Sequence, residues 1–465
     1  MLRSAQRMAS APIGVIIYAI LGVALLALYS SWNRPLWYDE MVYYVLGGFS
    51  SPNDVLAVVG ETTTNINQGT TGAYMVVDYL MLSMFGAQSW ALRLPSLLFG
   101  IYFLAAAAVF LRGRGVGWPG LWALTFLLAG QQTLMYYVGE ARTYIPLAAA
   151  VTGLSAYYFL PLADRRRIGP RLLGWSAVVI GVLFHPYFAL YWPLILLFAV
   201  LVQKQWRNMV RLANPVLVVT GTALYFAVAS ATWLRGSARR EDLDPYLFLV
   251  DPLWRSIVAQ LTQAIYVERI LVVVVALVFV ISAVLVSRSR AEALDAVRQW
   301  WPPVVLLVIS FLSAMVISFI SLQQQFWIIP RQWIASIALS SLAIIWLFSA
   351  IIRRILVVQG TLPAAITGGV LGLALFVGSV VPITAQVDQL RGWSAQRAGV
   401  DISATASRED LALELDRVAA GQREPLSEDE WVVFSNANIV LGGPVWPEFA
   451  DYYITRDPAE FVLRD

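Results

Sequence analysis

Cysteine is absent from the 465 residues, histidine occurs once (His185), and lysine once (Lys204, against 31 arginines). Without thiols the chain has no disulfides, thiolate zinc sites or cysteine nucleophiles. A single histidine leaves no room for a poly-histidine metal site. Charge is scarce as well: charged residues make up 13% of the chain, against about a quarter in ordinary soluble domains. There is no glycine-rich loop of the kind that cradles phosphate, since Arg112-Gly113-Arg114-Gly115 is only a short basic stretch. Internal repeats and low-complexity segments are also missing. A net charge of +3 gives no footprint for nucleic acid.

What fills the chain instead is apolar. Hydrophobic residues make up 59% and the mean hydropathy is +0.68. Apolar runs recur from Pro12 to Ile383, each near the twenty or so residues that a bilayer core demands. The reading is an all-α polytopic membrane protein with eleven spans, at about 12–32, 94–111, 118–138, 143–163, 170–186, 187–203, 211–233, 270–287, 302–321, 332–352 and 363–384. The first run is too long for a signal-peptide core and lacks a small-residue cleavage site, so it reads as an uncleaved anchor. Pro95, Pro119, Pro170, Pro302 and Pro303 fall at expected span starts, where a missing N–H costs a helix nothing. Residues 1–384 form the membrane domain, and 385–465 a small extracytoplasmic appendage, expected to be α+β from its helix-like run 408–420 and strand-like run 431–435.

Orientation follows from basic residues in short loops. With the N-terminus cytoplasmic, every inner loop is basic. Sixteen basic and three acidic residues lie inside, a surplus of thirteen; the outer side carries a deficit of ten. The outer face then holds a first loop (33–92), a second (234–268) and the tail. The excess of arginine over lysine fits a GC-rich bacterium, hence a bacterial plasma membrane facing a periplasm-like space.

Some arginines defy this pattern. Arg93, Arg142, Arg269 and Arg331 each open a span that descends from outside, and the fifth such span begins beside His185. A cation at a helix N-terminus faces the positive end of the macrodipole, unfavourable by roughly 0.3–1 kcal/mol. An anion among those helix ends would reconcile them, because helix N-termini and guanidinium forks both grip phosphate. The alternative is snorkelling to outer headgroups. Arg142 and Arg331 fit the anion site best, with Glu140 and Pro330 fixing tight entries beside them; Arg269 has Glu268 as an alternative partner.

The first loop opens with Trp37-Tyr38-Asp39-Glu40-Met41-Val42-Tyr43-Tyr44-Val45, whose apolar spacing reads as an amphipathic helix on the membrane. Two adjacent carboxylates there repel each other, which raises one pKa as a general base requires; a solvated interfacial face is the competing reading. Trp37, Tyr38 and Tyr43 are candidates for stacking on a sugar or for interface anchoring. Asp78, in a second amphipathic stretch at 74–85, is a candidate acceptor contact, and His185 a structural or substrate-binding residue. No ligand spacing marks a metal site and no cofactor is expected, although the outer acids leave a divalent metal open.

Trp37-Tyr38-Asp39-Glu40 after the first span resembles the acidic motif of the GT-C glycosyltransferases that use polyprenyl-phosphate sugars. Within them the likeness is to the protein O-mannosyltransferase and aminoarabinose-transferase branch. The stretches 85–96 (ending Arg93-Leu94-Pro95-Ser96), Glu140-Ala141-Arg142-Thr143-Tyr144 and Pro330-Arg331-Gln332-Trp333 fit that branch in order and spacing. The resemblance covers roughly 10–355 and leaves out the tail. It implies an inverting transferase that moves a sugar from a polyprenyl phosphate to an acceptor hydroxyl outside the membrane. Asp39 would be the base, assisted by Glu40. Arg93, Arg142, Arg331 and Arg269 would hold the donor phosphate, with Glu140, Tyr144 and Gln332 near the substrates. Where many members carry a His-Pro-Pro-like stretch, this chain reads Asn65-Ile66-Asn67-Gln68-Gly69-Thr70-Thr71-Gly72. Mannose, arabinofuranose and aminoarabinose donors stay open, as do glycan, lipid and protein acceptors. A lipid-linked-saccharide transporter and a non-catalytic envelope-assembly partner are the rival readings; few ionisable residues lie mid-span, where coupling groups usually sit.

Overall fold

A computed structural model describes residues 12–29, 40, 43, 53, 71–86, 88–131, 134, 137–160, 162, 164–203, 208–231, 290–323 and 333–373. The described residues form the helices α1 (Pro12–Tyr29), α2 (Ala73–Phe85), α3 (Ser89–Gly113), α4 (Trp118–Ala129), α5 (Tyr144–Phe159), α6 (Ile168–Phe184), α7 (Phe188–Gln203), the short α8 (Met209–Ala213), α9 (Pro215–Ala231), α10 (Arg290–Gln323), α11 (Ile334–Gln359) and α12 (Thr361–Leu373). Among them α3, α11 and the Trp300–Ile317 part of α10 are long and apolar enough to cross a bilayer. The protein is an all-helical multi-pass membrane protein. Ten of the eleven expected spans coincide with a helix; the span at 270–287 and the appendage at 385–465 lie outside the described residues.

The proline expectation needs correction. Pro119 does sit at a helix start, but Pro95 is the seventh residue of α3, and Pro302 and Pro303 lie well inside α10, which begins at Arg290. Membrane helices tolerate internal proline because neighbouring helices and local adjustments re-satisfy the freed backbone groups. The polar turns before Trp301 thus continue one helix, which apolarity alone could not show.

The centre of the bundle is α5. Every residue from Ile145 to Phe159 is buried. Its run of Ala148, Ala149, Ala150, Gly153, Ser155 and Ala156 removes side-chain bulk, so neighbouring backbones approach closely. Helices α3, α6, α7 and α11 pack around it. At Gly153 an added Cβ would stand 2.6 Å from the Tyr102 hydroxyl and 3.2 Å from the Ala177 Cβ. Tyr102 ties α3 to α6 through Ser176 Oγ (2.8 Å) and the Leu173 carbonyl (3.2 Å). On the far side α11, buried from Ile334 to Phe348, packs on α10. Tyr191, Ser336 and Ser313 join α7, α11 and α10 by hydroxyl contacts of 2.8 and 3.2 Å.

The lower end of α5 is closed by arginine. Arg165 donates from Nε to the Leu160 carbonyl (3.0 Å), from Nη1 to Leu212 (2.8 Å) and from Nη2 to Tyr158. Arg114 donates to the Phe159 carbonyl. A helix C-terminus leaves its last carbonyls without intrahelical donors, and cations there also suit the macrodipole. These two arginines therefore cap the central helix.

Candidate functional site

At the opposite end of α5, side chains from five segments meet. Glu40 and Tyr43 come from the first loop and are helical and buried. Helix α2 contributes Tyr74 and Asp78, one turn apart and so on one face. That face is the buried one, whereas Leu80, Met84 and Phe85 are exposed. The sole acid of α2 therefore points inward from a helix whose outer side is apolar, as suits a helix resting in lipid. Helix α3 contributes Arg93 and Ser96, also on one face. The turn Glu140–Thr143 leads into α5, and His185 follows α6.

Glu40 and Arg93 form a two-pronged ion pair, Nε to Oε1 at 2.8 Å and Nη2 to Oε2 at 2.7 Å, with both side chains fully buried. The Ala141 N–H also donates to Oε1, at 3.0 Å. One carboxylate thereby pins the first loop to the start of α3 and to the turn before α5. Ser96 Oγ donates to the Glu140 carbonyl (2.5 Å), so the Tyr74 hydroxyl donates to Ser96 (2.7 Å). The Thr71 hydroxyl donates to the Leu183 carbonyl, tying the start of α2 to the end of α6.

Arg142, 5% exposed, lies with its guanidinium 5.2 Å from the Tyr43 ring centre and 5.6 Å from that of Tyr144. Tyr144 stands 5.6 Å from the His185 ring. His185 Nδ1 accepts the Tyr187 N–H at 3.2 Å, which assigns the ring proton to Nε2. Burial raises the Tyr43 and Tyr74 phenols, which stay protonated. Burial and the Glu40 charge hold the Asp78 carboxyl well above the usual carboxylate range.

Of the side chains singled out in the sequence, Glu40, Tyr43, Asp78, Arg93, Glu140, Arg142, Tyr144 and His185 thus gather at one end of the bundle. Trp37, Tyr38, Asp39, Arg269, Arg331 and Gln332 lie outside the described residues. Arg93 departs from the helix-end argument, because α3 begins at Ser89 and Arg93 is its fifth residue, with Glu40 against its charge. Ser96, Tyr74 and the Ala141 N–H were not marked as site groups. Ser96 stood inside the Arg-Leu-Pro-Ser stretch, but nothing in its spacing announced a partner 44 residues away. Among the described residues no three His, Asp or Glu side chains gather as metal ligands do. Beside the cluster, between α2, α3 and α6, runs an apolar cleft of about 290 Å³ walled by Val77, Met81, Pro95, Phe99, Tyr102 and Ile180.

No protein-family model matches the chain, and no curated protein does. Solved structures do. ArnT from Cupriavidus metallidurans in the apo state superposes with a TM-score of 0.52 at 13% identity, over 90% of this chain and 82% of that one. The fold resembles that of ArnT. The same protein bound to undecaprenyl phosphate gives a TM-score of 0.52 at 12% identity, over 94% of this chain and 89% of ArnT. At this identity the likeness is one of fold, and it agrees with the GT-C resemblance drawn from the motifs.

Proposed function

We propose that the chain is a polyprenyl-phosphate-dependent glycosyltransferase that moves a sugar to an acceptor hydroxyl on the outer face of the membrane. The observation that carries this reading is the convergence at Glu40. It lies 53 residues from Arg93 and 101 from Ala141, yet meets both in a buried, charged site at one end of the bundle. Helix likeness to ArnT, a protein crystallised with undecaprenyl phosphate, supports the same donor class.

In this reading Asp39, next in the chain to Glu40, takes the proton from the acceptor hydroxyl. The hydroxyl oxygen attacks the anomeric carbon in line, the bond to the phosphate breaks, and the configuration inverts. Arg142 and Arg331 hold the phosphate and stabilise its charge as it leaves, with Arg269 as a further candidate. Arg93 acts through Glu40, orienting the acidic segment. The apolar cleft between α2, α3 and α6 suits the first units of the prenyl chain. In this reading the N-terminus is cytoplasmic, the first loop and tail are outside, and this end of the bundle faces the extracytoplasmic side of a bacterial plasma membrane; the basic short loops support that orientation. No nucleotide is needed there, because the donor arrives activated.

The test is transfer of radiolabelled sugar from undecaprenyl-phosphate donors by the purified chain. Asp39→Asn is expected to lower the rate at least about 100-fold, within the range of a positioned general base, while donor binding persists. Arg142→Ala is expected to weaken binding of undecaprenyl phosphate. Undiminished transfer by Asp39→Asn would remove the base assignment.

A further inference from the structure

Glu40 is engaged by Arg93 and the Ala141 N–H, and Tyr74 by Ser96. Asp78 differs from both. It is fully buried, and among the described residues neither carboxyl oxygen has a hydrogen-bond partner. Leaving a buried polar group unsatisfied is destabilising. A leucine at the same place on α2 would carry no such cost and would match the apolar character of the helix. The groups that face Asp78 are the Glu40 carboxylate, the Tyr43 phenol and, on its own helix, the Tyr74 phenol.

We propose that Asp78 is a specificity-determining residue, a buried carboxyl that exchanges hydrogen bonds with a neutral hydroxyl of the substrate. The inference rests on the glycosyl-transfer reading and names the chemistry of one of its contacts. Burial and the neighbouring Glu40 charge favour the protonated form of this carboxyl, and a protonated carboxyl both donates and accepts, which is the complement of a sugar hydroxyl. An ammonium group would instead need the ionised acid, disfavoured here by burial and by Glu40. The site therefore selects a neutral hydroxylated ring over a cationic one. The hydroxyl belongs to the donor sugar or to the acceptor, and the two are separable by experiment.

The experiment uses the full chain in detergent with two donors, undecaprenyl-phosphate arabinose and undecaprenyl-phosphate 4-amino-4-deoxyarabinose, and reads thermal shift and transfer kinetics. Asp78→Leu is expected to fold, with a Tm no lower than the parent, and to raise one KM by roughly 10–100-fold. A rise in the donor KM, with loss of the donor-induced thermal shift, assigns the hydroxyl to the donor sugar. A rise in the acceptor KM alone assigns it to the acceptor. Asp78→Asn keeps a donor and an acceptor without ionising and is expected to hold the change to about threefold. Unchanged KM values in a folded Asp78→Leu chain would overturn the proposal. So would an Asp78→Asn chain that fails as badly as Asp78→Leu, or a parent that prefers the cationic donor. Donor binding without any transfer would sink the enzymatic reading alone, since the thermal shift still reports on Asp78. A parent whose Tm neither donor moves would sink both.

Discussion

Arg93 and Glu40 show what a buried ion pair does at the scale of single residues. Removing one partner strands the other as an uncompensated buried charge, at a cost of about 3–5 kcal/mol. Glu40→Leu and Arg93→Leu are each expected to lower the Tm sharply, whereas the double substitution recovers most of the loss, as replacing both partners with apolar groups does. A double-mutant cycle by thermal denaturation measures this; transfer activity is not expected to return, because the acidic segment loses its tether. Asp78 supplies a pH prediction. Its folded-state pKa lies above the unfolded value, so the stability of the parent is fully present below the unfolded pKa and is lost as pH rises through the folded one. Compared with Asp78→Asn, the parent should be equally stable in acid and progressively less stable as pH is raised. A stability difference that shrinks with rising pH would contradict this. The sequence marked Arg93 and Arg142 as site candidates because they open spans descending from the expected outer face, and Glu40 and Asp78 because they are acids in amphipathic stretches of the first loop. It could not assign partners, since those pairings span 53 to 101 residues of chain and depend on how the helices pack.

Among the elements, α5 is the one that positions the site. Its N-terminal turn carries Glu140 and Arg142, and its C-terminal carbonyls are held by Arg165 and Arg114. Arg165→Lys is expected to destabilise the protein by at least about 2 kcal/mol despite the retained charge. An ammonium cannot reproduce a fork that reaches Tyr158, Leu160 and Leu212 together. Denaturation of the variant beside Arg171→Lys, an exposed basic position, separates a capping role from a charge effect. Apolar run length made the helices legible. Their ends were less so: α10 extends twelve residues upstream of the expected start because its polar turns carry no hydrophobic signal. Nor did the basic loop containing Arg165 reveal that one of its arginines folds inward while Arg166 and Arg167 stay exposed.

For the whole molecule, the lack of native cysteine becomes an experimental asset. Single cysteines at Asn53 and Arg167, both exposed, report sidedness without any background. In intact cells an impermeant maleimide is expected to label Asn53→Cys, and to label Arg167→Cys only after the membrane is opened. The reverse pattern would invert the topology and move the candidate site to the cytoplasm. The general architecture was readable because bilayer thickness imposes a length on every span. The likeness to ArnT across some nine-tenths of the chain, at 13% identity, shows how little of that architecture resides in particular residues.

The burial of α5 has one more consequence. Bilayers differ in thickness, and helices in contact with lipid respond to mismatch by tilting. Helix α5, about 24 Å long at 1.5 Å per residue, is sheathed by its neighbours from Ile145 to Phe159 and presents no side chain to acyl chains. The turn bearing Arg142 is thereby mechanically insulated from the surrounding membrane. The outer helices can lean to fit a thicker or thinner bilayer while the candidate site keeps its own depth.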